Sequence, residues 1–265
     1  MSDHLIIAVQ WTVLLNALAC TIQSLEYLRL QRYMTEDAIW KWSLLQNDYR
    51  VFSRPVQKLL EILLQNPKPL LFIRLFASVM IFIQPHWIFF AIIFVSTLLI
   101  AIRFRGTFNG GSDFMTLIIN ACLCIAFIFA DSPSIQKACL FYVGVQSIFS
   151  YFIAGYIKIK RPKWRNGLAL IGFLNNTIFG NKISVSKQPL IQKITFILSW
   201  GTMLFELAFP LCFFNFTAAL VLTSIAASFH VINFYIFGLN RFVFAWISTY
   251  PAIYLIALNH SSAAL

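Results

Sequence analysis

Apolar residues run in long blocks along this chain, broken by short polar or cationic stretches. About 20 mainly apolar residues in a helix cross the hydrocarbon core of a bilayer. The first such block covers residues 5–24. A pair follows at 70–84 and 87–102, introduced by Pro67 and Pro69 and separated by a Pro85-His86 hairpin. Further blocks lie at 114–130, 138–157, 189–214, 217–238 and 242–258, the last with Pro251 as an expected kink. The pattern predicts an all-α polytopic membrane helix bundle with about eight spans.

Two regions depart from this rhythm. Over residues 25–67, Trp40, Trp42, Arg50 and Lys58 alternate with Leu44, Leu45, Val56, Leu59, Leu60, Leu63 and Leu64 at helix-like spacing. This predicts amphipathic helices at the membrane surface or against the bundle. The run 168–179 is too short to span and predicts a re-entrant or interfacial helix. No repeat, low-complexity tract or soluble domain interrupts the chain, which reads as one membrane domain over 1–265.

Composition agrees with this reading. The chain is 60% hydrophobic and only 11% charged, against about 25% charged in soluble domains. A net charge of +11 raises nucleic acid as a partner, but most of the cations fall in loops between apolar blocks, as membrane topology requires. The lipid bilayer is therefore the expected partner and nucleic acid is not. With eight spans, one face collects the basic loops around 29–68, 103–105, 158–193 and 241, and the other keeps only Lys137. The basic face is expected to be cytoplasmic, in a bacterial inner membrane. The start, MSDHLIIAVQW, has no basic region before its apolar stretch and reads as a first membrane helix. Cys20, Cys122, Cys124, Cys139 and Cys212 all lie in apolar blocks without metal-ligand spacing, so they read as small hydrophobes and no metal is expected.

Ionisable groups inside spans are costly and face a cavity or a partner. Glu206 is the one acid within a predicted span; it is either a helix tether, neutral or paired with Arg74 or a lysine, or a group that positions a base or ligand. His230 reads either as a core histidine bonded to a carbonyl or, with Asn233 three residues on, as the wall of a polar pocket. Lys158 stands where an apolar helix meets Lys160, Arg161, Lys163 and Arg165. By position it is a snorkelling anchor; desolvated and among cations, it is a candidate base. The loop Asn109-Gly110-Gly111-Ser112-Asp113 offers flexible backbone, with Asp113 as a helix N-cap. Its glycines follow no strand, and no HExxH or GxSxG occurs, so nucleotide binding, zinc proteolysis and serine hydrolysis are excluded.

The run Tyr151-Phe-Ile-Ala-Gly155, followed by Lys158, Trp164 and Gly167, resembles the central motif of the vitamin K-dependent gamma-carboxylase. It also resembles the carboxylase's bacterial relatives, the HTTM (horizontally transferred transmembrane) domain proteins. The Asn109–Asp113 loop, Glu206-Leu207 and FHVINFYIFGLNRF at 229–242 match in the same order, so the likeness covers about residues 70–255. It implies a membrane enzyme with a lipid-accessible pocket for a reduced quinone of the vitamin K hydroquinone kind. Lys158 would be the base, with His230 and Glu206 as further catalytic groups. Asn109, Gly111, Asp113, Tyr151, Gly155, Trp164, Gly167 and Asn233 would form the pocket.

The carboxylase carries a histidine in its Asn-containing loop, linked to carboxylation, and this chain has none there. The carboxylase's large peptide-engaging domain is not expected either. The resemblance therefore implies quinol deprotonation or a related oxidation, or peptide maturation with accessory proteins, more than glutamate carboxylation itself. The competing reading is a non-catalytic membrane subunit that binds lipid or peptide for export or assembly. A transporter fits less well, since no inverted pair of Gly/Pro-broken spans is present.

Overall fold

The computed structural model describes residues 3–34, 40–103, 110–175 and 188–263, the last four without their side chains. Among these every regular element is a helix. In chain order they are α1 (Asp3–Leu30), α2 (Trp42–Leu45), α3 (Arg54–Leu64), α4 (Lys68–Ile83), α5 (Trp87–Arg103), α6 (Gly111–Ile128) and α7 (Pro133–Ile159). Then come α8 (Pro162–Arg165), α9 (Leu168–Leu174), α10 (Pro189–Ala208), α11 (Phe216–Phe237), α12 (Asn240–Ile247) and α13 (Tyr250–Ala263).

All eight apolar blocks are helical. Six helical runs are long and apolar enough to cross a membrane: Asp3–Met34, Gly111–Ile128, Pro133–Ile159, Pro189–Phe213, Phe216–Phe237 and Asn240–Asn259. The pair α3–α4, bent by 71°, makes a seventh if taken as one span, and α5 is a shorter apolar helix of 17 residues. The protein is an all-α, multi-pass membrane bundle. Its outer surface shows this on α10, where Leu190, Ile197 and Leu204 are 68%, 58% and 56% exposed. Spaced two helical turns apart, they form a stripe that suits lipid and not water.

Proline sets many of the boundaries. It opens α3, α4, α8 and α10 at the first or second helical position, where its missing N–H costs nothing. Pro210 ends α10 at Ala208 and tightens the next residues into a 3-10 turn, Phe209–Phe213. Pro251 does not kink one continuous helix: the break falls just before it, at Ser248 and Thr249, and Pro251 sits in the first turn of α13. α11 is capped at both ends, by the Asn215 side chain accepting from the Ala218 N–H at 2.9 Å and by Gly238 in the left-handed conformation. Asp113 is not the N-cap of α6. Gly110, with φ +56°, holds that position, so the helix starts earlier than expected and Asp113 lies buried in its first turn. The interfacial run predicted at 168–179 yields α9, and its residues from 176 on lie outside the described residues.

The chain forms two compact units, one of Gln10–Cys139 and one of Leu140–Leu265 with Met1–Val9. In the first, polar side chains tie the helices together internally. Fully buried Arg74 donates through Nη1 to the Ile93 carbonyl (3.0 Å), Ser96 Oγ (3.1 Å) and Thr97 Oγ1, and through Nη2 to Gln23 Oε1 (2.9 Å). Gln23 Nε2 donates in turn to Thr116 Oγ1 at 2.9 Å, and the Asn16 and Asn120 amides bond to each other. These bonds link α1, α4, α5 and α6, and they matter because lipid tails supply no hydrophobic drive between helices.

In the second unit α7 is the axis. A Cβ on Gly144 would lie 2.9 Å from the Ala252 carbonyl oxygen of α13, and one on Gly155 would lie 2.9 Å from Glu206 Cβ of α10. The two glycines are about three turns apart and so share a helix face. Small residues at these points let both partner helices approach closely.

Candidate functional site

Gly155 brings α10 against α7 at the level of Glu206, and one turn further along α7 stands Lys158. The Lys158 ammonium forms an ion pair and hydrogen bond with Glu206 Oε1. The Glu206 side chain is 3% exposed and that of Lys158 19%. Lys158 therefore does not act purely as a snorkelling anchor, since its charge is turned to a buried carboxylate. Glu206 thus pairs with a lysine and not with Arg74, whose Nη atoms bond to the neutral oxygens described above.

The turn after α7 places an aromatic ring beside this pair. Trp164 lies on α8, with its ring centroid 5.3 Å from Lys158 Nζ, within cation–π range. α8 is anchored on α10 by Ser199 Oγ donating to the Trp164 carbonyl (2.6 Å) and by Trp200 Nε1 donating to the Arg165 carbonyl (3.0 Å). Gly167 then turns the chain with φ +77°, and a Cβ there would meet the Phe196 backbone nitrogen at 2.6 Å. Only glycine fits both conditions.

A second polar group comes from α11, α7 and α13. Tyr151 Oη lies 2.7 Å from His230 Nε2 and 3.3 Å from Tyr250 Oη. The Tyr151 ring stacks on Phe209 with centroids 3.8 Å apart, and the His230 ring lies parallel to Trp246 at 5.9 Å. His230 is thus bonded to a phenol and not to a carbonyl.

Both groups border one cavity of about 380 Å³, whose wall includes Lys158, Glu206, Tyr151, His230, Asn233 and Trp164. Phe229, Phe242 and Trp246 supply much of its apolar lining. Its size falls at the lower end of small-molecule sites. Three polar atoms of its wall residues are buried without a partner among the described residues: Glu206 Oε2, His230 Nδ1 and Trp246 Nε1. Buried polar groups are nearly always bonded, so these three atoms stand out as unsatisfied in residues that border one cavity. A carboxylate oxygen accepts, an indole N–H donates, and His230 Nδ1 does either, depending on the direction of the Tyr151 hydrogen bond.

The structure thus brings together Lys158, Glu206, His230, Tyr151, Trp164 and Asn233 out of the residues expected from sequence. Gly155 and Gly167 do not line the cavity; they set the backbone geometry of those that do. Gly111 and Asp113 belong to the Gln10–Cys139 unit, at the start of α6, and are not part of this wall. Asn109 lies outside the described residues. Trp246 and Tyr250 were not foreseen. Trp246 stands near the start of the predicted span 242–258, where a tryptophan reads as an interface anchor, and nothing in the local sequence marks it, or Tyr250 at the middle of that span, as inward-facing. Among the described residues no three His, Cys, Asp or Glu side chains converge, and the five cysteines are free thiols. Compared with known proteins, the chain matches no protein family, no curated protein and no solved structure.

Proposed function

We propose that the protein is a membrane enzyme of the HTTM kind that takes a proton from the ring hydroxyl of a lipid-soluble reduced quinone at the Lys158–Glu206 pair. The observation that carries this reading is the buried ion pair in the wall of an apolar cavity, with Glu206 Oε2 unpartnered beside it. The cavity suits such a group: aromatic walls for a ring, and Glu206, His230 and Trp246, whose unsatisfied polar atoms would turn to its oxygens on binding. When bound, a reduced quinone supplies an ionisable hydroxyl and two electrons.

Each residue has a definite task in this reading. When the quinol binds, Glu206 Oε2 turns to the hydroxyl and accepts its proton, while Lys158 stays an ammonium. The Lys158 ammonium, over the Trp164 ring, steadies the negative charge left behind. The Trp246 indole N–H donates to a ring oxygen, and His230 is held in orientation by Tyr151. Phe229 and Phe242 keep water from the reacting oxygen, which strengthens every charge interaction in the site. Peptide modification, with accessory proteins supplying the substrate, is the biological setting that the family resemblance suggests. A bacterial inner membrane, with the basic loops in the cytoplasm, goes with it.

The test is oxygen consumption by purified protein supplied with a reduced naphthoquinone, comparing wild type, Lys158→Ala, Glu206→Gln and Lys160→Ala at equal folded amounts. Loss in the first two variants and retention in the third supports the reading, since Lys160 lies over the Tyr156 ring and not in the cavity wall. Wild-type protein that shows no turnover, and no quinone by mass spectrometry of its extract, would instead favour a non-catalytic subunit that binds lipid or peptide.

A further inference from the structure

We propose that the concavity between α2 and α3 binds the headgroup of an aminophospholipid, with its phosphate at Arg50 and its primary ammonium at Glu61. The site lies wholly within the Gln10–Cys139 unit and shares no residue with the cavity described above. α3 stands 71° from the apolar helix α4, so with α4 along the bilayer normal α3 runs close to the membrane plane. It buries Leu60 and Leu64 and leaves Val56, Leu59 and Ile62 exposed beside Lys58 and Glu61. That mixture suits the headgroup–acyl boundary.

Here the surface opens into a polar concavity of about 180 Å³ bordered by Trp42, Asn47, Tyr49, Arg50, Gln57 and Glu61. Arg50 and Glu61 carry opposite charges on one small concavity, yet among the described residues their side chains pair neither with each other nor with another group. A zwitterion whose charges lie a few ångströms apart satisfies both at once. Arginine binds phosphate through a fixed fork of donors, and a carboxylate accepts from a primary ammonium. Behind them Trp42 and Tyr49 stack with ring centroids 6.0 Å apart and an interplanar angle of 12°. Trp42 is 4% exposed and forms the buried part of this wall. Val51 and Phe52, next to Arg50, are 85% and 48% exposed. Acyl chains would cover them, which favours a lipid over a soluble phosphoester.

Native mass spectrometry of the purified full-length protein, titrated with defined lipids, tests this. Phosphatidylethanolamine should bind about tenfold more tightly than phosphatidylcholine, which cannot hydrogen-bond to Glu61, or phosphatidylglycerol, which lacks the ammonium. Arg50→Gln should weaken phosphatidylethanolamine about tenfold, and Glu61→Gln should bring it down to the phosphatidylglycerol level. Asn47→Leu, which fills the concavity without touching either charge, should also lose the lipid. Lys58→Gln, on the same helix outside the concavity, should not. Unchanged phosphatidylethanolamine binding by Arg50→Gln and Glu61→Gln, with unfolding midpoints like wild type, overturns the proposal. Displacement of the lipid by an equal concentration of soluble phosphoethanolamine overturns the choice of a lipid.

Discussion

Gly155 and Glu206 touch across α7 and α10 so closely that a single added methyl would lie 2.9 Å from the glutamate Cβ. This contact brings the carboxylate within reach of Lys158, one turn along α7. Gly155→Ala should therefore push the helices apart, at a cost of about 1–3 kcal/mol, and loosen the ion pair as well. Gly201→Ala on α10 is the control: nothing lies within 4 Å of a Cβ there, so better helix propensity should leave stability equal or up to about 1 kcal/mol higher. Thermal unfolding in detergent compares the two.

The ion pair should respond unequally to loss of either partner. Lys158→Ala strands a carboxylate whose side chain is 3% exposed, whereas Glu206→Gln leaves a lysine that is 19% exposed and free to turn outward. Breaking a buried pair at one side costs about 3–5 kcal/mol, and the larger share is expected for Lys158→Ala. The double variant Lys158→Met with Glu206→Gln should recover part of the loss. A double-mutant cycle of unfolding midpoints measures this, and additive single effects would show that the pair is not coupled.

Tyr151→Phe keeps the stacking on Phe209 but removes the hydroxyl that bonds His230 and faces Tyr250. With His230 Nε2 left unsatisfied, a loss of about 1–3 kcal/mol is expected. If His230 orients a ligand, affinity for a bound quinone should fall more in Tyr151→Phe than in Tyr250→Phe, where the Tyr151–His230 bond survives. Equilibrium binding of a fluorescent quinone analogue distinguishes the two variants.

Arg74→Lys should not be a mild change. The guanidinium reaches two oxygen acceptors and a carbonyl on α5, and Gln23 on α1, from one planar fork, and an ammonium cannot span both directions. A destabilisation of about 2–4 kcal/mol is expected for lysine, with Gln23→Leu costing less because it removes only one acceptor. Unfolding midpoints in detergent would reveal the error if Arg74→Lys matched wild type.

From its sequence alone, the chain showed its class and its helical segments, because membrane insertion needs unbroken apolar runs and those are visible one residue after another. Lys158, Glu206 and His230 were legible as candidates for the same reason: a polar group inside such a run is conspicuous, whereas Tyr151, Gly155, Trp164 and Gly167 stood out only through a family resemblance. What each of these residues does was decided only by the tertiary structure. The pairing of Lys158 with Glu206, the bond from Tyr151 to His230 and the inward place of Trp246 depend on which helix faces meet. That is set by close approaches at Gly144 and Gly155 between segments far apart in the chain. The start of α6 at Gly110 and the break before Pro251 likewise follow from backbone geometry, to which hydrophobic pattern is blind.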